Sequence, residues 1–316
     1  MINVEICRAG FIESVHQVHA HVENSAGEIL FSSSADFQFY PRSAIKPLQT
    51  LLILESGAYN RFNLQQKHLA IASASHTGEQ VHTDLVREWL KHMELQIKDL
   101  NCGAHDPFDS RALVELKKNG EAPTAVHNNC SGKHAGFLSV CKQLKFSVVD
   151  YHLPDHPLQQ LMTKNLENYL EESLVEYGID GCSIPAYRMS FHAFGKAFAK
   201  LAGQVFENKV TAATQVYNAF VLYPQLTSGL EEYCFKIMEK NPQKILAKVG
   251  AEGVLLGAIP EKKLAIVVKA LDGTERAAQF AFDKLVEKFS DIKPALNSKL
   301  INWSGVEVGA IRVNGI

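Results

Sequence analysis

No stretch of this chain is long and apolar enough to span a bilayer, and no fixed-period repeat, low-complexity tract or Pro/Gly/Ser linker interrupts it. A membrane span and a modular array are thereby excluded. The opening residues Met1-Ile2-Asn3-Val4-Glu5-Ile6 lack the basic start, apolar run and small-residue cleavage site of a secretory signal, so a cytoplasmic protein is expected. An excess of positive charge is also missing. The formal net charge is −2 and the pI about 6.7, which gives phosphate backbones no broad field to bind and removes nucleic acid from the expected partners. Six cysteines are present, but no C-x-x-C pair, and without an export signal a disulfide framework is not expected. Any metal site must assemble from distant segments.

What remains is an ordinary globular composition, with 46 % apolar and 21 % charged residues over 316 positions, enough chain to bury a core without covalent staples. Val15 to Val22 and Glu28 to Phe31 flank an Asn24-Ser25-Ala26-Gly27 turn and predict a hairpin. The apolar runs Gly253 to Ile259 and Leu264 to Ala270, joined by Pro260 to Lys263, predict a second strand pair. Between them, Val81, Leu85 and Trp89 recur at helical spacing. Ala278, Phe282, Leu285 and Phe289 form the stripe of a last helix. Strands, many helices, strands and a terminal helix indicate a mixed α/β (α+β) class, an antiparallel sheet covered by helices. Nothing marks a boundary, so residues 1–316 are taken as a single domain with a helical middle region.

Chemistry enters at Arg42-Ser43-Ala44-Ile45-Lys46-Pro47, which opens a helix. Residues three apart on a helix lie about 5–6 Å from each other at Cβ, so the Lys46 amine reaches the Ser43 hydroxyl. A serine is a weak nucleophile until a base takes its proton, and a lysine does so when burial or a neighbouring cation keeps it neutral. The spacing alone is weak, since Ser139/Lys142 and Ser290/Lys293 share it. A helix cap and a solvated lysine compete as the bland reading. Context favours catalysis: serine acyl enzymes of the β-lactamase type follow S-x-x-K with a second serine and a later K-T-G-like motif. Ser75 and Lys248-Val249-Gly250 stand in that order, and Lys118-Asn119-Gly120 is the lesser match.

Residues 73–79 pack polar groups before a helix, where Ser75 or Thr77 would also serve as a cap with Glu79 in the first turn. Residues 127–136, His-Asn-Asn-Cys-Ser-Gly-Lys-His-Ala-Gly, are denser still in reactive side chains and are followed by an apolar helix. His16, His19 and His21 also cluster, but His19 and His21 alternate with Val18, Ala20 and Val22 and read as an exposed strand face.

The segments RSAIKPLQ (42–49), SASHTGE (73–79), CGAHDP (102–107), HNNCSGKHAG (127–136), DGCSIP (180–185) and AKVGAEGV (247–254) together resemble the thermolabile, zinc-containing asparaginases with a serine β-lactamase/penicillin-binding-protein-like fold. The resemblance spans nearly the whole chain. It implies two serine–lysine pairs, Ser43 with Lys46 and Ser75 with Lys248, and leaves open which serine is the nucleophile. It also implies zinc, with Cys130, Asp180 and Cys234 as ligands and Lys133 close by. Cys182 is a further candidate contact, while Cys7, Cys102 and Cys141 read as structural thiols. Thiolates and a carboxylate suit that metal.

The activity so implied is attack by a lysine-activated serine on the side-chain amide of L-asparagine, giving an acyl-enzyme and ammonia, then aspartate. Arg42, Glu79 and His134 lie inside the motifs and are expected to hold the substrate's charged groups. A glutaminase differs by one methylene, worth about 1–3 kcal/mol of discrimination, and the poor match at residues 184–190 leaves that choice open. Two rivals stand beside it. A β-lactamase-like acyl hydrolase is opposed by Ser75-His76-Thr77 where S-D-N is expected, and a non-catalytic zinc-binding protein by the paired serines and lysines. The resemblance implies a homodimer, the common symmetric assembly.

Overall fold

A computed structural model describes residues 1–316. The chain folds as two compact units: one comprises Met1–Ala44, Met189–Lys209 and Lys236–Ile316, the other Ile45–Arg188 and Val210–Phe235. Each gathers segments far apart in sequence. Twelve strands occur in chain order: β1 (Ile2–Arg8), β2 (Phe11–Asn24), β3 (Ile29–Ser32), β4 (Gln38–Phe39), β5 (Tyr177–Ile179), β6 (Pro185–Tyr187), β7 (Met189–Ser190), β8 (Leu246–Gly250), β9 (Val254–Ile259), β10 (Leu264–Ala270), β11 (Lys299–Ile301) and β12 (Glu307–Asn314).

The first unit is built on one antiparallel sheet in the order β11-β12-β1-β2-β10-β9-β8, with β3 against β2. The β2–β3 hairpin turns where the sequence predicts it. The Asn24 side-chain oxygen accepts from the Ala26 and Glu28 amides, and Gly27 takes φ +85°, which a side chain resists. A Cβ on Gly257 of β9 would lie 2.5 Å from Phe282 of the helix Glu275–Phe289. Register carries that face through Ile266 to Val22. His21 therefore points to the opposite face, where a Cβ on Gly195 of the helix Phe191–Phe206 would lie 2.6 Å from its ring. Helices cover both faces, which is why β9 and β10 are apolar along nearly their whole length.

That cover corrects the reading of His19 and His21 as an exposed face: His21 is fully buried and His19 stacks on Phe37 at 4.1 Å. Alternation set the face correctly, but helix Phe191–Phe206 lies over it. The helix Glu275–Phe289 is also not the end of the fold, because β11 and β12 follow and β12 pairs with β1. Their residues are mostly exposed or half-buried, so they lack the apolar pattern that betrays β9 and β10. The class remains the mixed α/β one the sequence indicates, an antiparallel sheet with helices.

The second unit is mostly helical, with the short β5–β6 pair as its only strands. Its central helix, Ser131–Leu144, is buried over its first eleven residues, Ser131 to Cys141. Glycines permit this: a Cβ on Gly132 would fall 2.2 Å from the Ile71 carbonyl oxygen, and one on Gly136 2.6 Å from Ile53. Helices Lys46–Glu55 and Gln66–Ala72 thus pack close, burying Leu48, Leu51, Leu69 and Leu138 completely. Each contributes about 1.5–3 kcal/mol of hydrophobic stabilisation. Close packing here fixes the N-terminus of Ser131–Leu144, where the reactive residues stand.

Candidate active site and thiol cluster

Arg42–Ile45 form a 3-10 turn that runs into the helix Lys46–Glu55, with Pro47 pre-set for the first helical turn. Lys46 is 2 % exposed. Its ammonium donates to the Ala74 carbonyl at 2.5 Å and to the Ser75 hydroxyl at 3.1 Å. Ser75 is half-buried in an irregular stretch whose amides over residues 75–77 are all engaged: Ser75 N–H donates to Thr227 O, His76 N–H to Asn129 O and Thr77 N–H to Ser228 O. Sequence spacing places Lys46 beside Ser43. The Lys46–Ser75 contact joins residues 29 apart and was not foreseen.

Ser43 and Lys248 belong to the sheet unit. Arg42 has φ +50°, a left-handed conformation costing a non-glycine residue about 1 kcal/mol or more. The Ala44 amide closes the turn on Pro41 O at 3.0 Å. A Cβ on Gly250 would fall 2.2 Å from that same oxygen, so the Ser43 turn lies against the end of β8. Lys248, two residues back on β8, is 1 % exposed and donates to Val249 O at 2.8 Å. The helix-cap reading of these serines fails on geometry. Ile45 caps Lys46–Glu55 and Glu79 caps Gln80–His92, neither with a side-chain bond.

Around Ser75 the second unit is rich in uncharged histidine. Burial, then the neighbouring His82 and Lys46, holds His76 well below its ordinary value. Its Nδ1 accepts from Gly78 N–H, so Nε2 carries the proton and donates to Ser131 Oγ at 2.8 Å. His134 is pushed down by burial and then by Lys133. Its Nδ1 lies 2.6 Å from the Tyr151 hydroxyl, and its buried Nε2 has no protein partner. Glu79 accepts from Thr77 Oγ1 at 2.8 Å.

A second cluster forms at the start of Ser131–Leu144. Cys130 is the N-cap residue and Lys133 lies in the first turn. Cys182 sits at the tip of the β5–β6 hairpin. There Ser183 N–H donates to Asp180 O and Ser183 takes φ +74°. The Lys133 ammonium donates to Cys182 Sγ at 2.9 Å. A hydrogen bond from Cys130, with Lys133 beside it, lowers Cys182 to about 5 against the upward pull of burial. The same bond, with burial, pushes Cys130 up to about 12. Lys133 is raised: burial opposes its charge, but Cys182 and Cys130 outweigh that. Asp180 acts on Lys133 and Cys182 through its charge. Cys182 is therefore central here, not peripheral. The sequence signal for it was its place in DGCSIP. Cys234 is buried on a separate helix, Tyr233–Lys240.

The donor set has the chemistry that zinc takes. The Cys182 thiol is lowered towards its thiolate, Cys130 is within hydrogen-bond reach of it, and the Lys133 ammonium approaches the same sulfur.

One unit is an antiparallel sheet covered on both faces by helices, and the other carries a buried lysine on a serine hydroxyl. Comparison gives the family: the L-asparaginase II family profile matches residues 4–313, and the chain belongs to that family. Among curated proteins it is 21 % identical over 310 residues to the arginine biosynthesis bifunctional protein ArgJ of Oceanobacillus iheyensis, covering 96 % of this chain. It spans 65 % of that relative's length. A crystal structure of Mglu in its native form in the presence of 4.3M NaCl superposes with TM-score 0.50 and 14 % identity, over 90 % of this chain and 63 % of Mglu. That likeness is one of fold. A β-lactamase (Mb2281c) from Mycobacterium bovis gives 0.46 and 14 %, over 86 % and 95 % of the two chains.

Proposed function

We propose that this chain is an L-asparaginase, an amidohydrolase that converts L-asparagine to L-aspartate and ammonia through a serine acyl-enzyme with Lys46 as the base. The observation that carries the proposal is the buried Lys46 side-chain nitrogen bonded to the Ser75 hydroxyl, in a member of the L-asparaginase II family.

Ser43 is the proposed nucleophile. Its oxygen attacks the amide carbon, its proton passes to the Lys46 amine, and the C–N bond breaks as the leaving nitrogen takes a proton and departs as ammonia. Ser75 is the proposed carrier of that proton, because Lys46 is already bonded to it. An acyl group on Ser75 would find no oxyanion donor in its own segment, since the amides of residues 75–77 are all spent. Water then hydrolyses the ester by the reverse proton route. Arg42, Glu79 and His134 are proposed to hold the α-carboxylate and α-ammonium. The unpartnered Nε2 of His134 supports its part in this.

Zinc would be held by Cys130, Cys182 and Lys133 as a free amine, with Asp180 and Cys234 the further candidates from sequence. It would supply structural neutralisation of the thiolates. The enzyme is proposed to be a cytoplasmic homodimer, which light scattering after size exclusion checks. Ammonia release from asparagine and from glutamine, assayed in parallel, tests the activity and its preference. Turnover of neither by folded, zinc-replete protein would overturn the proposal.

A further inference from the structure

The sheet unit carries a cluster that the amidase chemistry does not use. His21 and Glu23 are neighbours on one face of β2, and both are fully buried. His192 reaches them from the first turn of the helix Phe191–Phe206, with its side chain 44 % exposed. One carboxylate oxygen, Glu23 Oε2, lies 2.8 Å from His21 Nε2 and 3.1 Å from His192 Nδ1. The three ligand atoms all lie within 4.8 Å of one another.

Three features go beyond a hydrogen-bonded core trio. First, the other carboxylate oxygen, Glu23 Oε1, is buried with no donor, and leaving a buried carboxylate oxygen unpaired costs about 1–3 kcal/mol or more. Second, His21 Nδ1 is bonded to Ser32 Oγ at 3.1 Å, which fixes the ring and leaves Nε2 for a ligand role, the arrangement that orients metal-binding histidines. Third, Gly195 is required for the trio to exist, since its Cβ would lie 2.6 Å from His21 Cδ2.

From this we propose that His21, Glu23 and His192 form a binding site for a divalent transition-metal ion of the zinc class, pinning β2 to the helix Phe191–Phe206. Bonds of about 2.0–2.2 Å from a tetrahedral centre need ligand atoms ~3.4 Å apart; Glu23 Oε2 already lies 2.8 and 3.1 Å from the two imidazole nitrogens, which are within 4.8 Å of each other. Glu23 Oε1 gains a partner as the second oxygen of the carboxylate. The exposed side of His192 leaves the fourth position to water. Two neutral imidazoles and one carboxylate are a donor set that zinc accepts, and the site shares no residue with the thiol cluster.

The test is zinc titration of chelator-stripped protein, reading stoichiometry and affinity by competition with a chromophoric chelator and zinc-dependent thermal stabilisation. Wild type is compared with His192→Ala and Glu23→Gln. Because the thiol cluster is intact in all three, the difference isolates this site. Each variant should take up one equivalent fewer, or bind that equivalent at least tenfold more weakly, and lose part of the thermal shift. Absorption fine structure on zinc-loaded protein should lose nitrogen and oxygen scattering in His192→Ala while the sulfur signal stays. If Glu23→Gln fails to fold, the half-exposed His192→Ala decides alone. Unchanged stoichiometry and affinity in folded His192→Ala would overturn the site.

Discussion

His68 and His76 are both held neutral by burial, His68 at about 4 and His76 well below its ordinary value. A base depressed on folding stabilises fully above its unfolded value near 6.5, and that contribution is lost as pH falls towards the folded value. Stability should therefore decline below pH 6.5, each histidine contributing a slope of about 1.4 kcal/mol per pH unit. Urea unfolding between pH 7 and 4 measures it, and His68→Gln should flatten the slope. At Lys46, a change to Met keeps the apolar stem and removes the base. On the proposed mechanism it should lower ammonia release by about 10²–10⁴-fold, measured at saturating asparagine. The serines, lysines and cysteines concerned were legible because their motifs concentrate polar side chains beside apolar helices. Their partners were less so: Lys46 with Ser75 and Lys133 with Cys182 are contacts between residues 29 and 49 apart, and no periodicity encodes them.

At the scale of elements, close approach to glycine does much of the positioning. Gly250→Ala would place a methyl 2.2 Å from Pro41 O and must displace the turn bearing Ser43. Ammonia release should fall by tenfold or more in a variant that still folds, as checked by circular dichroism beside the assay. Gly132→Ala meets the Ile71 carbonyl at the same distance inside a packed helix contact, and should cost about 1–3 kcal/mol or more in urea unfolding. The two expected hairpins were legible because alternation and turn chemistry agree at residues 24–27 and 260–263. The C-terminal pair β11 and β12 was not. Three residues of β11 and a half-exposed β12 carry too little apolar pattern, and only pairing makes them strands, β12 with β1 and β11 with β12.

For the whole molecule, the two units interleave in sequence, so no linker composition announces them. No helix is long and apolar enough to cross a membrane. If zinc organises the thiol cluster, a chelator should lower the melting temperature and the rate together, and zinc should restore both without altering preference between amides; a chelator-insensitive enzyme would remove zinc from the account. The central claim is serine–lysine amide hydrolysis. It is tested most directly by ammonia release from L-asparagine by wild type, Ser43→Ala and Ser75→Ala, with mass spectrometry after rapid quenching. The account predicts turnover by wild type, an aspartyl adduct on the peptide containing Ser43, and loss of turnover in both variants. Undiminished turnover in either folded variant would contradict it.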